Sequence, residues 1–168
     1  MGQSLEGRDI MAIKISDSPG YDDPTEPSVL YNGMHHAREV MTPEITTDIV
    51  SYLVSNYKSN PKVKSWVDNN EIYVLPMLNV DGNTKVWQGS KMWRKNTRGG
   101  YGVDINRNYP TNWGACQGSS GWRNSQQYRG SQAASEPETN VLMDFVSKIK
   151  PVFNISYHAY SELVIYPY

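Results

Sequence analysis

The chain holds three histidines, and two of them lie beside an acid at close spacing: His36-Ala37-Arg38-Glu39 is an H-x-x-E, and His158 lies far downstream. Two ligands this close in a turn can face one cation, and a third from another strand can close the site. Two neutral imidazoles and one carboxylate would leave Zn²⁺ with a net charge near +1 and one position open for water. Such a site acts as a Lewis acid and lowers the pKa of its bound water to about 7. A bare H-x-x-E is also a common accident of composition, and a histidine on a strand is ordinarily structural, so spacing alone leaves both readings open. His35 is the poorer ligand. Taken as the first histidine, it places the cation Arg38 three residues on. It reads as a structural or bracing residue.

The elements that must carry these residues read as alternating strands and helices. Residues 10–15 form a strand pattern. Val29-Leu30-Tyr31 is a short buried strand stopped by Asn32-Gly33, immediately before the H-x-x-E. Thr42-Pro43 then predicts a helix start, with Thr as N-cap and Pro at the first helical position. Ile45, Ile49, Leu53 and Val54 give that helix an apolar face. Val63 and Trp66 suggest a second short helix. Residues 72–77 form another strand, closed by the turn signal Asn79-Val80-Asp81-Gly82. Residues 83–134 are polar and show no strong period, and so long a stretch in a compact domain is usually functional. Ser135-x-x-Glu138 reads as a capping box, followed by Val141, Leu142, Phe145, Val146 and Ile149 at helical spacing. Residues 152–157 form a strand, and residues 163–166 suggest another. Asn154-Ile155-Ser156 fits a glycosylation sequon, but its apolar setting reads as a buried strand.

This order argues one α/β domain with a largely parallel sheet. In such sheets sites gather beyond the carboxyl ends of strands. His36 and Glu39 follow a strand and His158 ends one, so the candidate ligands sit where a site belongs.

Bulk properties exclude several classes of partner. A net charge of −1 gives no electrostatic reason to expect nucleic acid or an anionic membrane. No apolar run approaches the roughly 18–20 residues of a membrane span, and no signal peptide opens the chain. The lone Cys116 has no internal partner for a disulfide.

Further motifs occur in order along the chain: Ser4-Leu5-Glu6-Gly7-Arg8, Gly33-Met34-His35-His36-Ala37-Arg38-Glu39, Asn79-Val80-Asp81-Gly82 and Trp93-Arg94-Lys95. They continue with Gly102-Val103-Asp104-Ile105-Asn106-Arg107-Asn108, Tyr128-Arg129-Gly130, Ser135-Glu136, and Ser156-Tyr157-His158-Ala159-Tyr160-Ser161 through Tyr166-Pro167-Tyr168. Taken together they resemble the zinc carboxypeptidases of the carboxypeptidase A/B type, nearest to the bacterial carboxypeptidase T-like branch.

The resemblance implies a three-layer α/β/α fold with a mixed, largely parallel central sheet. Residues 1–168 are then expected to be a central piece of the catalytic domain, incomplete at both ends. It implies one Zn²⁺ held by His36, Glu39 and His158, with Asp104 hydrogen-bonded to a ligand histidine. Arg94 would stabilise the oxyanion. Asn106 and Arg107 would hold the substrate's C-terminal carboxylate, for which a planar guanidinium is well suited. Arg38 and Tyr160 would line the upstream subsites, and the Ala159–Tyr160 peptide is expected to be cis.

The implied activity is hydrolysis of the C-terminal peptide bond of peptides and proteins, by a secreted monomer whose general-base glutamate lies outside this chain. A non-catalytic zinc- and carboxylate-binding module, or a related zinc amidohydrolase, is the alternative. Asn106-Arg107 argues against the amidohydrolase, whose known forms often lack that pair.

Overall fold

The computed structural model of the protein describes residues 1–115 and 117–166. Cys116 and the Pro167-Tyr168 end of the last motif lie outside the described residues. A small antiparallel ribbon, β1 (Gly2–Gln3) with β2 (Asp9–Ile10), precedes the main sheet. That sheet contains β3 (Ile13–Ile15), β4 (Ser28–Asn32), β5 (Glu71–Leu75) and β6 (Phe153–Ser156), in the spatial order β3-β5-β4-β6. β4 runs parallel to both β5 and β6, and β3 is antiparallel to β5. The expected mixed, largely parallel sheet is present.

Strand alternation sorts the core into two faces, because successive side chains of a strand point to opposite sides. Ile72 and Val74 of β5, with Val29 and Tyr31 of β4, pack with Leu53, Val63 and Val67. These last come from α1 (Met41–Asn56) and α2 (Pro61–Asp68). Tyr73, Leu75 and Leu30 pack on the other side with Ile10, Ile105 and Leu142. Leu142 belongs to α4 (Pro137–Ile149), whose Val141, Phe145, Val146 and Ile149 join the same cluster. Helices therefore cover both faces, which makes three layers.

Several local expectations are corrected. The strand expected over residues 10–15 is split between β2 and β3, and Met11 at the break is 70% exposed. In α1 the inward stripe runs through Thr42, Thr46, Ile49 and Leu53, while Val54 is exposed. Two threonines can carry an inward face here because each hydroxyl is satisfied; Thr46 donates to the Thr42 carbonyl. Thr42 is not the N-cap, since Val40 holds that position without a side-chain bond. The capping box at Ser135 and Glu138 does not form. Glu136 is the N-cap residue, Ser135 Oγ donates to Glu136 Oε1, and Glu138 Oε1 accepts the Leu5 N–H.

Asn79-Val80-Asp81-Gly82 opens a helix instead of closing a turn: α3 (Val80–Trp87) begins there, and Asn79 Oδ1 accepts the Gly82 N–H as its cap. Residues 163–166 form no strand and are exposed. β6 is an edge strand with Asn154 and Ser156 exposed, not a buried one.

Candidate metal centre

The loop after β4 is held from three directions. Gly33 N–H donates to the Leu75 carbonyl and the Gly33 carbonyl accepts from Leu78 N–H, which ties the loop to the end of β5. Asn79 at the start of α3 donates from Nδ2 to the His35 carbonyl at 3.0 Å and from its backbone N–H to the Met34 carbonyl. Thr42 Oγ1 accepts the Met34 N–H at 2.9 Å and donates to the Glu39 carbonyl at 2.9 Å. Asn83 Nδ2 and the Arg94 carbonyl secure Ala37. Gly82 allows α3 to approach this closely, since a Cβ there would lie 2.5 Å from the Lys95 carbonyl oxygen and 2.8 Å from Ala37 Cβ.

On the neighbouring strand, Tyr157 N–H donates to the Asn32 carbonyl at 2.8 Å, which sets His158 beside the same loop. All three candidate ligands therefore lie at the carboxyl ends of the parallel strands β4 and β6.

Three ligand atoms converge there. His36 Nδ1 lies 2.7 Å from Glu39 Oε1, His158 Nδ1 lies 2.9 Å from Glu39 Oε2, and the two Nδ1 atoms are 3.2 Å apart. His36 and Glu39 are buried, whereas a third of the His158 side chain is exposed. Burial would raise the Glu39 carboxyl, but the hydrogen bonds and positive charge of His158 and His36 outweigh it and hold Glu39 at about 2. Burial likewise opposes a charge on His36, yet the carboxylates of Asp104 and Glu39 raise it above its ordinary value.

The donor set fits zinc. Ligand atoms held at about 2.0–2.2 Å around a tetrahedral ion sit about 3.3–3.5 Å apart. His36, Glu39 and His158 bring one such atom each within 4.8 Å of one another, a grouping that could hold one ion.

Behind the ligands stands Asp104, fully buried. Its Oδ1 lies 3.3 Å from His36 Nε2 and accepts the Asn106 N–H at 3.1 Å. The contact to His36 is close but poorly aligned, so Nε2 has no well-formed partner. Oδ2 accepts from Arg94 Nε at 3.1 Å and Nη2 at 2.9 Å. Burial pushes the Asp104 carboxyl up, and His36 with Arg94 overcomes it and holds it below the ordinary carboxylate value. The structure thus joins His36, Glu39, His158, Asp104 and Arg94 into one network.

Of the remaining expected residues, Asn106 joins that network through its backbone N–H on Asp104, and the side chains of Arg38 and Arg107 bond elsewhere. Arg38 Nη1 donates to the Met92 carbonyl at 3.3 Å. Arg107 donates from Nε to the Gly118 carbonyl and from Nη1 to the Asn106 carbonyl, both at 2.9 Å. Tyr160 is 95% exposed, and its peptide bond with Ala159 is cis, as expected.

The sequence reading missed the hydroxyl partners of the site. Tyr109 OH lies 2.8 Å from His35 Nε2, and Ser156 Oγ lies 3.3 Å from His35 Nδ1 and 3.4 Å from His158 Nε2. Burial, reinforced by the charges of His158 and His36, lowers the His35 imidazole to about 3 and keeps it neutral. The only sequence signal for this was the histidine doublet itself.

Comparison with known proteins agrees with this geometry. The family model described as zinc carboxypeptidase matches residues 1–168. A zinc carboxypeptidase of Saccharothrix mutabilis subsp. capreolus is 36% identical over 181 residues, covering 100% of this chain and 41% of the relative. Carboxypeptidase B of Rattus norvegicus is 35% identical over 178 residues, with 100% and 41% covered. The crystal structure of carboxypeptidase A from Helicoverpa armigera superposes with a TM-score of 0.85 at 31% identity, covering 95% of this chain and 40% of that one. The chain therefore spans about two fifths of the length of the relatives it matches. With a match along its whole length, the chain belongs to the zinc carboxypeptidase family.

Proposed function

We propose that this chain carries the metal-binding and substrate-clamping part of a metallocarboxypeptidase, which hydrolyses the C-terminal peptide bond of peptides and proteins. The observation that carries the reading is the convergence of His36 Nδ1, Glu39 and His158 Nδ1 within hydrogen-bond distance of one another. These three residues would hold one Zn²⁺. When bound, the ion polarises the scissile carbonyl and lowers the pKa of a bound water.

The protein's own groups do the rest. Asp104 backs His36 and orients Arg94. Because Arg94 Nε and Nη2 engage Asp104, the Nη1 end is left to meet the oxygen that gains negative charge. Arg107, steadied by the Gly118 and Asn106 carbonyls, receives the substrate carboxylate with Asn106 beside it. A free carboxylate is then a condition of binding, which makes the action that of an exopeptidase. Arg38 and Tyr160 line the subsites upstream of the scissile bond. As a metal ligand Glu39 would not be free to act as base, and the general-base glutamate would come from outside these residues.

Within the family, the motifs taken together in their order support placement nearest the bacterial carboxypeptidase T-like branch. Action outside the cell, as a monomer, accompanies the reading. No helix among the described residues is long and apolar enough to cross a membrane.

Two measurements test the proposal. Metal analysis should find one zinc per chain and its loss in His158→Ala. Calorimetry with zinc-loaded protein should show binding of blocked dipeptides with a free carboxylate and none of their C-terminal amides. Equal binding of acid and amide would sink the exopeptidase reading.

A further inference from the structure

His35 is buried next to a candidate ligand and is not among the three residues grouped at the candidate metal centre. Its two ring nitrogens are both engaged. Nε2 meets Tyr109 OH at 2.8 Å, and Nδ1 meets Ser156 Oγ at 3.3 Å. Ser156 Oγ in turn lies 3.4 Å from His158 Nε2, on the ring edge opposite the Nδ1 that faces Glu39 and His36. Four side chains thus form one line: Tyr109, His35, Ser156, His158.

With both imidazoles neutral, each member has one proton to give and a lone pair to accept one, so the line can run in either of two directions. In one direction Tyr109 OH donates to His35 Nε2, His35 Nδ1–H donates to Ser156, and Ser156 donates to His158 Nε2. His158 then carries its proton on Nδ1 and donates to Glu39 Oε2. In the other direction His158 carries its proton on Nε2 and donates to Ser156. Ser156 then donates to His35 Nδ1, and His35 Nε2–H donates to the Tyr109 oxygen.

A metal ligand must present a lone pair, and the other ring nitrogen keeps the proton. Zinc on His158 Nδ1 is compatible only with the second direction.

We propose that His35 is a positioning residue for His158: acting through Ser156, it locks the ligand tautomer, and zinc binding reverses the hydrogen-bond direction of the whole line. This rests on His158 being a zinc ligand. The reversal balances. Each side chain holds one proton before and after; the proton leaving His158 Nδ1 goes to solvent, and one returns from solvent to the Tyr109 oxygen. His35 suits the task because a neutral imidazole passes direction from one nitrogen to the other. At the other candidate histidine, Asp104 Oδ1 lies 3.3 Å from His36 Nε2.

The test uses the 168-residue chain and zinc alone as probe. Long-range ¹H–¹⁵N spectra distinguish the two imidazole tautomers, and with only three histidines the assignment is tractable. The expected result is His35 protonated at Nδ1 after chelation and at Nε2 once zinc is bound. Ser156 is exposed among the described residues, so its variants should fold. Ser156→Ala should weaken zinc roughly tenfold in chelator competition, and Ser156→Thr, which keeps the hydroxyl, should restore it.

An unchanged His35 tautomer, or wild-type zinc affinity in Ser156→Ala, overturns the proposal while leaving the zinc site standing. Wild-type protein that binds no zinc, or binds it equally with His158→Ala, overturns the zinc reading and this inference together.

Discussion

Arg94 directs two donors, Nε and Nη2, at the single oxygen Oδ2 of the fully buried Asp104, at 3.1 and 2.9 Å. That geometry leaves Oδ1 to the Asn106 N–H and to the neighbourhood of His36. One carboxylate therefore serves both the ligand and the cation expected to face substrate. Asp104→Asn should weaken zinc about 10- to 100-fold, the usual cost of losing a group behind a ligand histidine. Chelator competition checks this, and an unaltered dissociation constant would contradict it. Arg94→Ala strands the buried carboxylate and should cost on the order of 3 kcal/mol in urea denaturation.

The pH dependence of stability should differ with and without metal. In chelator, His36 has a folded pKa above its ordinary 6.5, so its contribution is complete below about pH 6.5 and fades as pH rises through the folded value. Glu39 has the opposite sign. Lowered from 4.5 to about 2, it contributes above about pH 4.5 and is lost as pH falls towards 2. The melting temperature in chelator should therefore peak between these limits. Zinc competes with protons for the imidazoles, so its added stabilisation should grow as pH rises past 6.5. A zinc-induced shift in Tm that shrinks over that range would refute the assignment.

Thr42 supports the ligand loop by accepting the Met34 N–H while fully buried. Thr42→Val keeps the shape and removes the acceptor. It should cost about 1–3 kcal/mol, the penalty of a buried donor left without a partner. Thr42→Ser should recover most of that loss in the same denaturation series.

Gly82 lies where α3 presses against the loop. An added Cβ meets the Lys95 carbonyl at 2.5 Å, and backbone cannot swing away as a side-chain tip can. Gly82→Ala should therefore destabilise by about 1–3 kcal/mol despite alanine's better helix propensity. Thermal melting that shows a gain would mean the two segments are not in close contact.

Much of the architecture was legible because burial leaves a periodic trace. Residues 72–77 and 29–31 read as strands, the first ending two residues early at Leu75, and the Val141 to Ile149 spacing read as a helix, since each packs apolar side chains at its own period. α3 was illegible for the converse reason. Its buried positions include Asp81, Gly82 and Asn83, which read as a turn when counted by polarity. The run at 163–166 has strand composition, but composition supplies no partner strand, and the segment stays exposed. Ser135 and Glu138 match a capping pattern, yet Leu5, 133 residues away, takes the Glu138 carboxylate.

The sequence by itself supplied the candidate donors and, through the ordered motifs, the family resemblance that assigns them: three histidines, an acid at the right spacing, and both candidate ligand segments placed after strands. These are properties of residue type and local order. Only the tertiary structure decided which atoms meet. It turned the Nδ1 of His36 and, from 119 residues away, the Nδ1 of His158 towards Glu39, set Asp104 between His36 and Arg94, and threaded His35 between Tyr109 and Ser156. Those choices depend on parallel pairing of β4 with β6 and on a loop held from three sides. They are contacts between distant segments, whose geometry no local spacing encodes.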